Sequence, residues 1–209
     1  MKVKIAHLYY DLLNLYGEHA NITALVNAFN KKDIKTEVDL LTVDDKKDLD
    51  KYDFIYIGSG SKENLIIALN DLIKEKEPIK KIIKNNTYLL STGNSRILFG
   101  KYFELNKEKI EALNIFDYYS EESNQIVGES LMNLKEVGNI IGFQNRGTII
   151  KQKDNHLFKV IKGHGNNINS TNEGYRENNF ISTYLLGPIL IRNPHLTEMI
   201  VNDIIKSNE

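Results

Sequence analysis

The first half of the chain alternates short apolar runs with amphipathic stretches. Apolar and polar residues alternate at 3–8, and a similar run at 36–41 predicts a second strand. The run at 53–57, continuously apolar after Asp53, is typical of a strand buried on both faces. Helical spacing follows Asn21, an expected N-cap, and returns at 65–73. Strands that alternate with helices favour a parallel sheet covered on both faces.

After a further short strand at 87–90, the pattern changes to short strand candidates separated by Gly, Asn and charged residues. These candidates lie at 126–132, 140–143, 148–151, 157–161 and 180–185. A last helix is predicted from Asn193 as N-cap and Pro194 at the first helical position. We therefore expect one α/β domain over residues 1–209, with a mostly parallel sheet that gains antiparallel strands in its second half.

Composition and charge remove several classes of function. Lys and Arg total 27 against 28 for Asp and Glu, so the net charge is −1 and the basic excess of a nucleic-acid-binding protein is absent. No apolar run approaches the roughly 20 residues of a membrane helix, and no secretory signal is visible, so we expect a cytoplasmic protein. The sequence contains no cysteine, which excludes disulfides, thiolate metal sites and cysteine nucleophiles.

Two turns rich in small residues follow predicted strands, at the edge where parallel sheets bind ligands. Gly58-Ser59-Gly60 follows the strand at 53–57, and Ser91-Thr92-Gly93-Asn94-Ser95 leads from a strand into a helical stretch. The second turn has the strand–turn–helix shape of a nucleophile elbow. In an elbow, backbone N–H groups of the next residue and of a neighbouring glycine loop face a developing oxyanion. Such turns are common, so the turn alone favours a structural interpretation.

Segments across nearly the whole chain match one known family in order and spacing. They include HLYYDLLNLYGE (7–18), NI (21–22), IGSG (57–60), GKY (100–102), IFDYY (115–119), IGFQN (141–145), GHGNN (163–167), EG (173–174) and TYLLGP (183–188). The chain resembles the class I glutamine amidotransferases of the cobyric acid synthase type, and among them the glutaminase subunits of lipid II isoglutaminyl synthase. The resemblance implies a flavodoxin-like, three-layer αβα fold.

The resemblance also implies a chemistry and a partner. Members of this family use an elbow Cys to attack the glutamine amide and a downstream His to activate the thiol and protonate the ammonia that leaves. In the peptidoglycan (cell-wall) enzymes, ammonia passes to a Mur-ligase-like subunit that activates a carboxylate with ATP. The implied partner is such a ligase in a heterodimer, and no cofactor is implied.

This sequence departs from the family pattern at the catalytic positions. A gap-free alignment on residues 100–102 places Gly93 at the Cys of the family's Cys-Gly-Gly-Tyr-Gln run, and residues 94–97 at the rest of it. Leu186 stands at the His of a Tyr-Leu-His-Gly-Pro run, and Gln125 at an Arg expected to hold the substrate glutamine. The nucleophile and the base are both missing, so we expect no catalytic residue at these positions.

Three functions remain open. The first is a non-catalytic or regulatory subunit that docks on a Mur-ligase-like partner. The second is a small-molecule binder that holds an amino acid or anion in the old pocket, formed by Gly58, Ser59, Gly60, Asn94, Ser95 and Arg96. Arg96 suits either that pocket or the surface of the following helix. The third is an active glutaminase that uses the hydroxyl of Ser91, Thr92 or Ser95, with His7, His19 or His164 as its base.

Two further clusters have ordinary interpretations beside the functional ones. Asp11 and Glu18 suggest a metal pair, but no third ligand is evident, so we expect no metal. Tyr9, Tyr10 and Tyr16 suit either an interface core or packing beneath a loop.

Overall fold

A computed structural model describes residues 1–85 and 87–208, which form two six-stranded sheets and five α-helices. The strands are β1 (Lys2–Leu8), β2 (Lys35–Leu41), β3 (Phe54–Ile57), β4 (Tyr88–Thr92), β5 (Tyr102–Leu105), β6 (Glu108–Glu111), β7 (Tyr118–Leu134), β8 (Gly138–Gln152), β9 (Phe158–Lys162), β10 (Asn172–Glu173), β11 (Tyr175–Glu177) and β12 (Phe180–Thr183). The helices are α1 (His19–Asn30), α2 (Lys62–Leu72), α3 (Lys76–Lys84), α4 (Ile189–Arg192) and α5 (Pro194–Ser207). Short 3-10 segments span Leu49–Lys51, Ile73–Glu75 and Gly93–Phe99.

The first sheet has the order β11-β12-β4-β3-β1-β2 and is parallel except for β11 at its edge. All four residues of β3 are buried, as the continuous apolar run predicted. One face of the sheet packs with α1 and α5, and the other packs with α2 and α3. The predicted three-layer α/β architecture is confirmed.

The second sheet contains most of the antiparallel strands, which therefore form a layer of their own beside the first sheet. Among the described strands, only β11 adds an antiparallel strand to the first sheet. The long hairpin β7–β8 pairs from Tyr118↔Gln152 to Leu134↔Gly138, with a bulge between Glu122 and Ile126. The sequence suggested several short strands here because polar residues interrupt the apolar pattern. These polar residues lie inside the two long strands, at the β-bulge or, like Gln144 and Arg146, buried and hydrogen-bonded to each other.

Of the two expected N-caps, Asn21 is wrong, whereas Asn193 is confirmed in position, with Pro194 as the first residue of α5. Helix α1 begins at His19, so the expected N-cap at Asn21 is wrong. Asn21 lies inside the helix, where it is buried, accepts the backbone N–H of Leu190 and donates to the Tyr56 hydroxyl. Asn193 does precede α5, but its side chain bonds the backbone of Ile141 and Ile189 rather than capping the helix. Both side chains therefore form hydrogen bonds with residues outside their own helices.

Among the described residues, no helix combines the length and apolar character needed to cross a membrane.

Candidate functional site

The two small-residue turns meet at the carboxyl edge of the parallel sheet. Strands β3 and β4 are neighbours, with Ile57 beside Ser91, so the turns that follow them lie side by side. Gly93 begins the 3-10 segment with a φ of +66°, in the left-handed region that favours glycine. A residue held in this conformation directly after a strand is the geometry of an elbow. The structure therefore has an elbow, with glycine at its apex.

The space beside Gly93, where an elbow side chain would begin, is already filled. A Cβ built on Gly93 would lie 2.6 Å from Ser59 Oγ and 2.8 Å from Leu186 Cδ2. Leu186 reaches this point because its backbone pairs with Phe143 in the second sheet. The fold thus brings together Gly93 and Leu186, the two residues that the resemblance aligns with the family's Cys and His. It fills the gap between them with a serine hydroxyl and a leucine methyl.

The backbone donors of the elbow already have partners within the protein. The Gly60 N–H donates to Asn94 Oδ1 at 3.1 Å, and the Asn94 N–H donates to Ser59 Oγ at 3.3 Å. The Asn94 carboxamide also donates through Nδ2 to the Gly60 carbonyl at 2.7 Å and accepts from Ser59 Oγ at 2.7 Å. Because the Gly60 N–H only donates and its carbonyl only accepts, these bonds fix the orientation of the Asn94 amide.

The three candidate hydroxyls around the elbow are tied into the protein interior. Ser91 Oγ and Ser95 Oγ are buried and lie 2.8 Å apart, and Ser95 Oγ also donates to the carbonyls of Ile57 and Thr92. Thr92 Oγ1 pairs with the Tyr56 hydroxyl at 2.6 Å. Within the described part of the chain, none of the three is hydrogen-bonded to a histidine. A serine nucleophile needs a base within such reach, so this arrangement does not favour one.

The candidate histidines lie elsewhere. His7 is buried, and its Nδ1 is 3.2 Å from Nδ1 of His19. Burial, with a smaller contribution from His19, lowers the pKa of His7 to about 3, so the ring is neutral at physiological pH. His164 is exposed, and its backbone carbonyl accepts a hydrogen bond from Gln144.

The structure contradicts both expectations for Arg96, because the residue lies neither in the pocket nor on the surface. The side chain is fully buried and forms an ion pair with Glu173, with 3.1 Å between Nη1 and Oε1. It also donates to Asn166 Oδ1 and Gln152 Oε1, both at 2.7 Å. Its guanidinium lies 5.2 Å from the centroid of the Tyr184 ring. Arg96 therefore connects the elbow segment to the second sheet.

A cleft of about 680 Å³ opens beside the elbow, between the loop around Tyr16 and the bulged part of the β7–β8 hairpin. Gly60, Asn94 and Gln125 line it, whereas Gly58, Ser59, Ser95 and Arg96 do not. Gln125 donates from Nε2 to Asn145 Oδ1 at 2.6 Å, so its amide is held against the cleft wall.

The charged groups of the cleft do not suit an anion. Glu104 and Glu122 line it together with Lys62, which pairs with Glu122 at 3.5 Å. The guanidinium of Arg146 is buried and donates to Gln144 and to the backbone carbonyls of Thr148, Asn166 and Gly165. The Arg96 side chain does not line the cleft either, so among the described residues no free guanidinium is available there to bind an anion.

Glu18 ties the loop around Tyr16 to the glycine loop. It is buried, and its two carboxyl oxygens accept the backbone N–H groups of Tyr16 at 2.9 Å and Ser59 at 2.8 Å. Burial raises the pKa of Glu18 to about 7, although both N–H groups favour the ionised form and oppose the rise. Glu18 is therefore a buried acid that titrates near neutrality.

We expect the free energy of unfolding to fall as the pH rises toward the pKa of Glu18. Because its folded pKa of about 7 exceeds the ordinary value of 4.5, Glu18 favours folding at low pH. This contribution is lost as pH rises between those values and amounts to at most about 3 kcal/mol. In urea unfolding at pH 5 and pH 8, we expect Glu18→Gln to lose much less stability between the two pH values than the natural chain. Equal losses in the two proteins would contradict the assignment.

The suggested metal pair and the tyrosine cluster separate in the structure. Asp11 accepts from Thr42 Oγ1, whereas Glu18 binds the backbone N–H groups. Across residues 1–85 and 87–208, no group of three metal-binding side chains comes together. Tyr9 is buried and donates to Asp71 at 3.0 Å, while Tyr10 is partly exposed and Tyr16 lines the cleft.

Comparison with known proteins places this geometry in context. The sequence profile of the CobB/CobQ-like glutamine amidotransferase domain matches residues 4–194. The chain is 32% identical over 202 residues to the GatD subunit of lipid II isoglutaminyl synthase (glutamine-hydrolyzing) from Staphylococcus aureus, covering 96% of this chain and 83% of that one. It is 30% identical over 211 residues to the GatD subunit from Streptococcus pneumoniae, covering 98% of this chain and 81% of that one.

Solved structures show the same fold at low sequence identity. A glutamine amidotransferase superposes with a TM-score of 0.64 at 14% identity, covering 96% of this chain and 98% of the other. The glutaminase domain of Trypanosoma brucei CTPS with bound acivicin superposes with a TM-score of 0.52 at 11% identity, covering 98% and 94%.

Proposed function

Because the chain belongs to the CobB/CobQ-like glutamine amidotransferase family, as its sequence resemblance predicted, we propose that it is a subunit without glutaminase activity in an amidating or peptide-ligating complex. Its partner in this proposal is an ATP-dependent, Mur-ligase-like synthetase that acts on a cell-wall peptide. The similarity to two GatD subunits over nearly the whole chain supports the subunit role.

The crowding at Gly93 is the observation that carries the proposed inactivity. Glutamine hydrolysis by this fold needs a nucleophile at the elbow and a base beside it. Here the apex has no side chain, and Ser59 and Leu186 occupy the space that one would enter. Without a nucleophile and a base, only substrate binding and backbone N–H donors remain to assist the reaction, and the donors of Gly60 and Asn94 already have partners.

The open cleft supports a second candidate, a binder of a small molecule without turnover. A volume of about 680 Å³ suits an amino acid, and the wall carries amides and both signs of charge. The excess of carboxylates over free cations favours a zwitterion or an amine over an anion. Thermal stabilisation of the purified protein by a panel of amino acids tests this role, because a ligand that binds only the folded state raises the melting temperature.

The proposed inactivity is tested by ammonia release from L-glutamine, using the purified protein alone and with its partner. We expect no release above a protein-free control. Activity that disappears in Ser95→Ala would instead support a hydroxyl nucleophile, and any activity of the natural chain would refute the inactive assignment.

We expect the partner to dock over the loop beside the cleft. Leu15 lines the cleft and is 58% exposed, and its backbone N–H bonds to the Ser59 carbonyl, so an exposed apolar side chain sits on an anchored loop. Leu15→Asp should abolish co-purification with a co-expressed Mur-ligase-like protein. Ile73→Asp is the matched control, because Ile73 is 47% exposed beyond the end of α2 and does not line the cleft. Loss of binding in both variants, or in neither, would contradict this docking surface.

A further inference from the structure

The Asn94 carboxamide occupies the place where an elbow would polarise a substrate amide. An oxyanion hole on this fold is built from the backbone N–H of the residue after the apex and an N–H of the neighbouring loop. Here those groups belong to Asn94 and Gly60, and both donate to side-chain oxygens of the protein itself. The Asn94 amide forms a two-bond pair with the backbone of Gly60, accepting from its N–H and donating to its carbonyl.

We propose that Asn94 is a built-in plug of the oxyanion hole, a block to catalysis that is separate from the losses at Gly93 and Leu186. The proposal deepens the proposed inactivity and rests on it. If it is correct, restoring a nucleophile and a base does not restore a working site while Asn94 remains.

The contacts around the plug hold it in place. Ser59 Oγ accepts from the Asn94 N–H and donates to Asn94 Oδ1, so one hydroxyl serves both the backbone and the side chain of the plug. The Ser59 N–H is in turn bound by buried Glu18. A Cβ on Gly60 would lie 2.5 Å from Leu13 Cδ2 and 2.7 Å from the Leu12 carbonyl, so the loop cannot move readily toward the Leu12–Leu13 segment. To reach the Gly60 N–H, a substrate amide would have to displace the Asn94 side chain from these hydrogen bonds.

The plug is tested in a background that carries a reporter at the apex. Because the sequence contains no cysteine, Gly93→Cys with Leu186→His gives a single thiol at the elbow. Its alkylation rate is measured with 6-diazo-5-oxo-L-norleucine, an electrophile shaped like glutamine, and divided by its rate with iodoacetamide. Iodoacetamide reports thiol exposure without requiring the oxyanion hole. Asn94→Gly is then added, with Asn124→Gly as a matched control, because Asn124 lines the same cleft away from the elbow.

We expect Asn94→Gly to raise this ratio by about tenfold or more, and Asn124→Gly to leave it unchanged. An unchanged ratio in the Asn94→Gly protein, including no reaction with the glutamine analogue in either case, would overturn the plug.

A second measurement uses the natural apex and does not depend on the two restored residues. In Asn94→Gly alone, hydrogen exchange of the Gly60 amide should accelerate by roughly fivefold or more, because its acceptor is gone. An unchanged exchange rate at Gly60 would also overturn the plug. An unchanged exchange rate would not affect the proposed inactivity. Ammonia release by the natural chain would refute the inactivity but would not change the hydrogen-exchange result.

Discussion

Replacing Arg96 by methionine should lower the free energy of unfolding by about 3–5 kcal/mol, because it leaves the Glu173 carboxylate buried without its cation. Both side chains are fully buried, so water cannot replace the lost partner. The guanidinium also satisfies Asn166 and Gln152, which lose their donors in the same change. Urea unfolding at pH 7 provides the measurement.

A surface ion pair of the same chemistry supplies the control. Arg192 pairs with Glu129 at 3.0 Å, but the two side chains are 29% and 65% exposed. Arg192→Met should therefore cost at most about 1 kcal/mol. Arg96→Met with Glu173→Gln should lose less than the sum of the single changes, because the second change removes the stranded charge. Similar losses at Arg96 and Arg192 would contradict the structural role given to Arg96.

Replacing Gly93 by alanine should cost about 2–5 kcal/mol, the second large effect that we expect. The positive φ accounts for about 1–2 kcal/mol. The remainder comes from forcing Ser59 and Leu186 away from the new methyl group, which would otherwise lie 2.6 Å from Ser59 Oγ. The same urea titration measures it.

Gly17 is a control that separates the cost of backbone strain from the cost of side-chain crowding at Gly93. Its φ is +71°, close to the value at Gly93, but a Cβ there would meet nothing within 4 Å. Gly17→Ala should therefore cost only about 1–2 kcal/mol. Combining Gly93→Ala with Leu186→Ala should cost less than the sum of the single changes by about 1 kcal/mol or more, because the shortened side chain makes room. An additive pair, or equal losses at Gly93 and Gly17, would show that the elbow is not crowded.

The parallel sheet and the elbow were predictable because their signals are local. A fully buried strand such as β3 must be apolar throughout, and a residue held at positive φ after a strand favours glycine. The second sheet was less accessible to sequence reasoning. The hairpin β7–β8 passes through Glu122 and Arg146, which break the alternation used to recognise a strand, and β6 consists largely of exposed charged residues.

The roles of Arg96 and Asn94 could not be derived from neighbours in the sequence. The counter-ion of Arg96 lies 77 positions away, and its aromatic partners are Tyr118 in β7 and Tyr184, just after β12. Asn94 takes its acceptors and donors from a loop more than thirty positions earlier. The resemblance predicted that Gly93 and Leu186 stand at catalytic positions, but only the three-dimensional arrangement indicates what fills the space around them.

An active enzyme leaves hydrogen-bond donors unsatisfied at its reaction centre until the substrate arrives, and it accepts a stability cost for doing so. In this chain the donors at that point are already satisfied by Asn94 and Ser59. These two donors are therefore available to a transition state only if Asn94 and Ser59 release them. In the proposed non-catalytic subunit, the same groups hold the two turns together at the edge of the sheet where we expect the partner to dock.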